Sequence, residues 1–135
     1  MIDVVTAVFL KNNSILLAKP RSSMKSNKYT LIGGKVKDGE DYKDAIIREV
    51  KEELKIDLTK AELNLILEFE EVSASDPDLK INMHMFIANR EVLTLPNTNE
   101  EILDYRWYDI NDNELELSDS IKNHLIPYLK TLLKK

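Results

Sequence analysis

The chain has 135 residues, enough for one domain with a substantial core and no need of disulfides or a structural metal to hold it together. Its 24 acidic and 19 basic side chains leave a formal charge of -5, which argues against a nucleic-acid coat and for a soluble protein with small-molecule partners. The lack of cysteine excludes a disulfide frame, a thiolate nucleophile and a Cys-based zinc site, and is compatible with a reducing cytoplasm, the expected location.

Met1-Ile2-Asp3-Val4 runs into an apolar stretch with an acid at its head, so neither a signal peptide nor a membrane span is expected there. No repeat or linker-like run divides the chain, and residues 1–135 are expected to fold as one unit. Residues 4–10 are rich in β-branched and aromatic side chains, Asn12-Asn13 can take the positive φ of a tight turn, and residues 15–19 resume as a strand, which predicts a hairpin. Residues 19–28 carry four basic side chains, no acid, and the turn formers Pro20, Ser22, Ser23, Ser26 and Asn27, the pattern of a basic loop. A short strand over residues 29–32 should meet Gly33-Gly34, with a turn at Lys37-Asp38-Gly39.

Asp41 is placed to cap a helix over Tyr42–Leu54, with Ile46, Val50 and Leu54 as its apolar stripe. At about 100° per residue, Glu49, Glu52 and Glu53 project into an arc of roughly 100° rotated away from that stripe. Three carboxylates so crowded repel one another unless a cation sits among them, and hard oxygen donors without Cys or a nearby His suit Mg²⁺ or Mn²⁺ better than zinc. Leu63–Val72 and residues 80–90 read as two longer strands around the turn Ser75-Asp76-Pro77-Asp78. In the second strand Asn82, His84 and Phe86 share one face. Pro96-Asn97-Thr98-Asn99 breaks the chain before a strand over residues 103–108, and a last helix over residues 119–133 follows Ser118, kinked or divided by Pro127. Strands outnumber helices in a mixed order, which predicts an α+β fold with helices packed on a mixed sheet.

Gly34, Glu40, Arg48-Glu49, Val50, Glu52-Glu53 and Ile56 stand at the spacing of the Nudix box, here residues 34–56, and the chain resembles a Nudix hydrolase of the MutT type. Every charged position of the box is filled. Lys55 replaces the box's last glycine, and Ile32 stands where a proline is common. Lys55 should either cost about 1 kcal/mol in a left-handed helix end or extend the helix by a turn. Outside the box, Glu101, Trp107 and Asp109 resemble the family's Glu-x-x-x-x-x-Trp-x-Asp strand.

The resemblance implies an α/β/α sandwich and a metal-dependent pyrophosphohydrolase acting on a small-molecule nucleotide, as a monomer or homodimer. It implies Glu52 and Glu53 as Mg²⁺ ligands, with Mn²⁺ as an alternative ion. Glu49 would be a further ligand or the base, and the Gly33 carbonyl an extra ligand. Arg48 would orient Glu49, while Gly34 and Glu40 support the loop and helix. In some relatives the base lies on a loop before the last strand, where Glu100 and Glu101 are the candidates, and the sequence leaves this choice open. The expected substrate is a nucleoside triphosphate cleaved to monophosphate and pyrophosphate. Gly33-Gly34-Lys35-Val36 resembles enzymes that clear oxidised purine nucleotides. ADP-ribose, a nucleotide sugar, or a nucleotide-sensing domain without catalysis are the alternatives, while an isopentenyl-diphosphate isomerase is disfavoured because that relative uses a cysteine.

Other residues carry a sharp and a plain reading. Arg21 and Lys35 are the first choices for phosphate among the cations Lys19, Arg21, Lys25, Lys28, Lys35 and Lys37, against plain surface charge. Tyr29, Phe86 and Trp107 could stack on a base or pack in the core. His84 could face the cleft or be structural, and His124 reads as an exposed helix residue.

Overall fold

The computed structural model describes residues 1–21, 28–72 and 76–133. Strand β1 (Ile2–Val8) carries apolar side chains at both parities, and both sets are buried. Val5 and Ala7 join Phe9, Leu16, Ala18, Ile46 and Val50 in one core. Val8 joins Ile15, Leu17, Met85, Ile121, Leu125 and Leu129 in a second core on the opposite side. A strand apolar on both faces needs cover on both. Helix α1 (Tyr42–Leu54) covers one side, and the C-terminal helical segment ending in α2 (Ile126–Leu132) covers the other. The architecture is α+β, an α/β/α sandwich.

The remaining strands are β2 (Leu10–Lys11), β3 (Ser14–Pro20), β4 (Ile32–Lys35), β5 (Leu63–Val72), β6 (Lys80–Ala88) and β7 (Ile102–Asp109). One sheet has the order β4-β1-β6-β5 and the other β2-β3-β7. In the first, β1 is parallel to β6 and antiparallel to β4, so the sheet is mixed. No helix among the described residues is long and apolar enough to cross a membrane.

Three expectations are revised. The hairpin predicted between residues 4–10 and 15–19 forms only through β2 and β3, turning at Asn12 with φ 57°. The chain changes sheets at Phe9, because a strand buried on both faces takes a central position and β1 finds its two partners in β4 and β6. Next, Gly33-Gly34 lies inside β4 rather than after the strand, and Tyr29 and Thr30 make only isolated bridges. Finally, the last helix starts on the Ser118 carbonyl, which accepts the N–H of Ile121 and Lys122, but passes through a turn of π-helix over Ile121–Leu125. There the Ile126 N–H bonds back to the Ile121 carbonyl. Pro127 has no N–H to continue the α-helical ladder, so the wider register falls immediately before it. Most of the basic loop, with Lys25, and Ser75 of the β5-β6 turn lie outside the described residues.

Candidate active site

Helix α1 begins where Asp41 accepts the Asp44 N–H at 2.7 Å and ends at Leu54, as the sequence predicts. Lys55 takes the left-handed conformation at φ 60° and returns its N–H to the Lys51 carbonyl, so the missing glycine strains the cap rather than lengthening the helix. With Ala45, Ile46, Val50 and Leu54 buried against the sheet, the glutamates are turned toward β4 and an open cleft.

Arg48 organises this face. Its Nε and Nη2 donate to the two carboxylate oxygens of Glu40 at 2.7 and 2.9 Å, Nη1 donates to Glu49 at 2.9 Å, and Nη2 reaches the Lys35 carbonyl at 3.1 Å. Glu40 also accepts the Lys37 N–H at 2.9 Å. The Arg48 guanidinium first, then the Lys37 N–H, holds the Glu40 carboxyl down at about 2. The loop before α1, the helix and the end of β4 are thereby tied through one planar cation.

The glycine pair fits the site by lacking side chains. A Cβ on Gly33 would meet the Val5 carbonyl oxygen at 2.0 Å, so that glycine lets β4 lie against β1. A Cβ on Gly34 would meet the Glu49 carboxylate at 2.5 Å, so that one leaves room for Glu49. Glu53 is the most perturbed acid of the group, pushed up to about 8 by burial first and then by repulsion from Glu49, while a hydrogen bond from the Gly33 backbone pulls the other way. Its Oε2 is buried without a hydrogen-bond partner.

Among the described residues no three His, Cys, Asp or Glu side chains are already gathered as a cage. Glu49 is turned to Arg48, Glu52 lies 3.6 Å from the same guanidinium, and Glu53 points inward. The donor set nevertheless fits a hard divalent cation. It consists of carboxylate oxygens beside a glycine cradle, one of them a buried oxygen left without a partner.

Glu49, Glu52 and Glu53 line an open cavity of about 670 Å³ with Glu100 and Glu101. Both candidate bases therefore share one cleft. The loop carrying Glu100 and Glu101 is folded on Asn99, whose Oδ1 accepts the N–H of Glu101 and Ile102 at 2.8 Å each. Arg21 braces the same loop, donating from Nε to the Asn99 carbonyl at 2.6 Å and from its backbone to the Glu101 carbonyl. Asn99 was legible only as a turn residue, and Tyr105, which donates to the Glu53 carbonyl at 3.0 Å, only as part of a strand. A second, largely apolar cavity of about 340 Å³ has Gly33 and Gly34 in its wall and faces the C-terminal helical segment.

Other candidates lie elsewhere. Phe86 is buried in the α1-side core, so it packs instead of meeting a substrate. His84 does share a face with Asn82 and Phe86, but it is buried beneath α1, stacked on Tyr42 at 3.8 Å, with its ring nitrogens 2.6 Å from Glu68 and 2.9 Å from Asp3. Its role is to bind β1, β5 and β6 together. Tyr29 is buried and donates to Asp104 at 2.6 Å, with Lys19 and Arg106 against its ring, which removes it from the substrate candidates. Lys35 keeps an exposed side chain at the end of β4. Trp107 is half-buried against the α1-side core, and His124 is stacked on Phe69 rather than simply exposed.

The family model of the NUDIX domain matches residues 1–129. The chain belongs to the Nudix family. This Nudix chain is similar to the CTP pyrophosphohydrolase of Escherichia coli (strain K12), 40% identical over 63 residues, which cover 46% of this chain and about half, 47%, of that relative's length. Its fold is that of a MutT NUDIX hydrolase from Burkholderia pseudomallei, at a TM-score of 0.76 and 20% identity over 90% of this chain and 92% of that one. A MutT protein from Methanosarcina mazei Go1 superposes at a TM-score of 0.75 and 21% identity, covering 97% and 94% of the two chains. Members of the family generally use divalent metals and act on small nucleotide substrates.

Proposed function

We propose that this Nudix chain is a pyrophosphohydrolase that cleaves a nucleoside triphosphate to monophosphate and pyrophosphate with the help of Mg²⁺ or Mn²⁺. The observation that carries this reading is the buried, unpartnered carboxylate oxygen of Glu53, in a group of acids where Gly34 leaves room for the Glu49 carboxylate. A buried acceptor without a protein partner calls for another ligand, and a cation held by the neighbouring acids would supply it. The name of the Escherichia coli relative makes CTP the first triphosphate to examine.

Glu49, Glu52 and Glu53, with the Gly33 carbonyl, would hold the cation. When bound, it would neutralise the charge of the anhydride and acidify a coordinated water. Arg48 holds Glu49 in place through the fixed fork it shares with Glu40, so that Glu49 need not find its orientation in the reacting complex. Either Glu49 or a carboxylate of the Glu100-Glu101 pair takes the proton from the attacking water. Arg21 and Lys35 are the cations offered to the phosphates. The apolar cavity of about 340 Å³ with the glycine pair in its wall would hold the base.

The reading is tested by product analysis with Mg²⁺ or Mn²⁺ on CTP and other nucleoside triphosphates, oxidised purine triphosphates, ADP-ribose and nucleotide sugars. Monophosphate and pyrophosphate from a triphosphate are expected. AMP and ribose phosphate from ADP-ribose, with triphosphates left intact, would replace this substrate by the alternative. Tight nucleotide binding without turnover of any compound would leave a sensing domain. Glu49→Gln and Glu101→Gln, compared over a pH series, separate the two bases, since only loss of the true base removes the acidic limb of the rate profile.

A further inference from the structure

The largely apolar cavity carries three charged groups in its wall, Lys28, Glu71 and Asp119. Val4, Leu31, Ile81, Met83 and Met85 line it, and among them stands the carboxylate of Glu71, from β5. The Glu71 side chain is only 17% exposed. Ser120 donates to its Oε2, and Nε2 of His124 lies 3.6 Å from its Oε1. His124 is itself held by stacking on Phe69, with ring centroids 3.7 Å apart and planes inclined by 9°. The carboxylate is thus braced from two successive turns of the C-terminal helical segment and cannot swing freely. Asp119, the other acid of the lining, lies 3.6 Å from Lys28.

A carboxylate offers about four acceptor sites. One full hydrogen bond and one long contact leave Glu71 able to accept more from a group placed in the cavity. We propose that Glu71 selects the base of the substrate, favouring one that presents an exocyclic amino group over one that presents a carbonyl at that point, and so cytosine over uracil. The inference rests on the reading of this cavity as the base-holding part of the site. An ionised carboxylate can only accept a hydrogen bond. The amino group of cytosine supplies a donor, whereas the carbonyl at the same position of uracil would face it lone pair to lone pair. The discrimination arises because the wrong base sets two acceptors against each other with no proton between them.

The test uses the full chain. Binding of CMP and UMP is measured without metal by calorimetry or NMR titration, and kcat and KM for CTP and UTP are measured with Mg²⁺, for the wild type and for Glu71→Gln. CMP is expected to bind about tenfold more tightly than UMP. In Glu71→Gln, whose amide can donate as well as accept, the ratio should shrink to within about threefold, through KM rather than kcat. Should that variant not fold, Glu71→Asp, which draws the carboxylate back by one methylene, is read in its place with the same two outcomes. Equal affinity of the wild type for CMP and UMP overturns the proposal, as does an undiminished preference in a folded variant. Discrimination between CMP and UMP that depends on Glu71, without cleavage of any triphosphate, would sustain base selection and remove the hydrolase reading. Cleavage of CTP and UTP with equal kcat/KM would do the reverse.

Discussion

Burial and the charge of Glu49 make the Glu53 carboxyl hold its proton to higher pH in the folded chain than in the unfolded one. Its carboxyl is raised from 4.5 to about 8, chiefly by burial and then by the charge of Glu49. Between those values the folded state holds a proton that the unfolded state has released, so stability falls as pH rises across the window. Thermal melts of the metal-free protein should show a decline from about pH 5 to pH 8. Added Mg²⁺ should raise the melting temperature more at pH 8 than at pH 6, since the cation competes with that proton. Glu53→Gln should flatten the metal-free profile, keep the protein folded, and cut turnover by about a hundredfold or more. The grouping of Glu49, Glu52 and Glu53 on one face of α1 was legible because register along one helix is rigid. The place of Tyr29 was not, because an isolated long-range bridge to Leu117 sets it, and those of His84 and Phe86 were not, because period-two alternation shows that two faces exist but not that helices cover both. On a strand buried on each side, an aromatic or His reads the same whether it meets a ligand or a core.

Strand β4 separates two uses of glycine that look identical in sequence. The Cβ of Gly33→Ala would press on the Val5 backbone, which cannot yield, and should cost about 3 kcal/mol or more of stability. The Cβ of Gly34→Ala would meet only the flexible end of Glu49, so the fold should survive while turnover drops, by about a hundredfold if Glu49 is displaced by an ångström. Urea unfolding and steady-state rates on the same two variants distinguish the cases, and the reverse pattern would show that the roles are exchanged. At the other end of α1, Lys55→Gly should relieve the left-handed cap and raise stability by about 0.5–1 kcal/mol, read as a higher urea midpoint at unchanged slope. The bounds of α1 were legible because Asp41 and the Ile46-Val50-Leu54 stripe agree on them. That the glycine pair belongs to a strand was not, since glycine is a poor strand former and here serves close approach of neighbouring groups.

For the whole molecule the ionisable groups pull stability down from both sides. Glu40 and Glu62 are held at about 2 by Arg48 and Arg90, and Asp3 is lowered by His84. Groups depressed in this way contribute stability above their unfolded values, and that contribution is lost as pH falls from about 4.5 toward about 2. Together with the opposite slope from Glu53, the metal-free chain should be most stable near pH 5, and saturating Mg²⁺ should move that optimum toward neutrality. A metal-free optimum at pH 8 would contradict the burial of Glu53. The strand over residues 4–10 was visible in the sequence as an apolar run, yet its division between two sheets was not, because only long-range pairing selects the partners of β1. That pairing also sets a timetable. Ile2 is aligned with Ile81 and Val8 with Ile87, so β1 waits for β6 to leave the ribosome, with β2, β3, β4, α1 and β5 emerging in between. At about 5–20 residues per second the wait lasts for seconds. The central strand of the finished sheet is therefore, during synthesis, an apolar segment in search of its neighbour, and the step at which it docks should limit how fast the chain can fold.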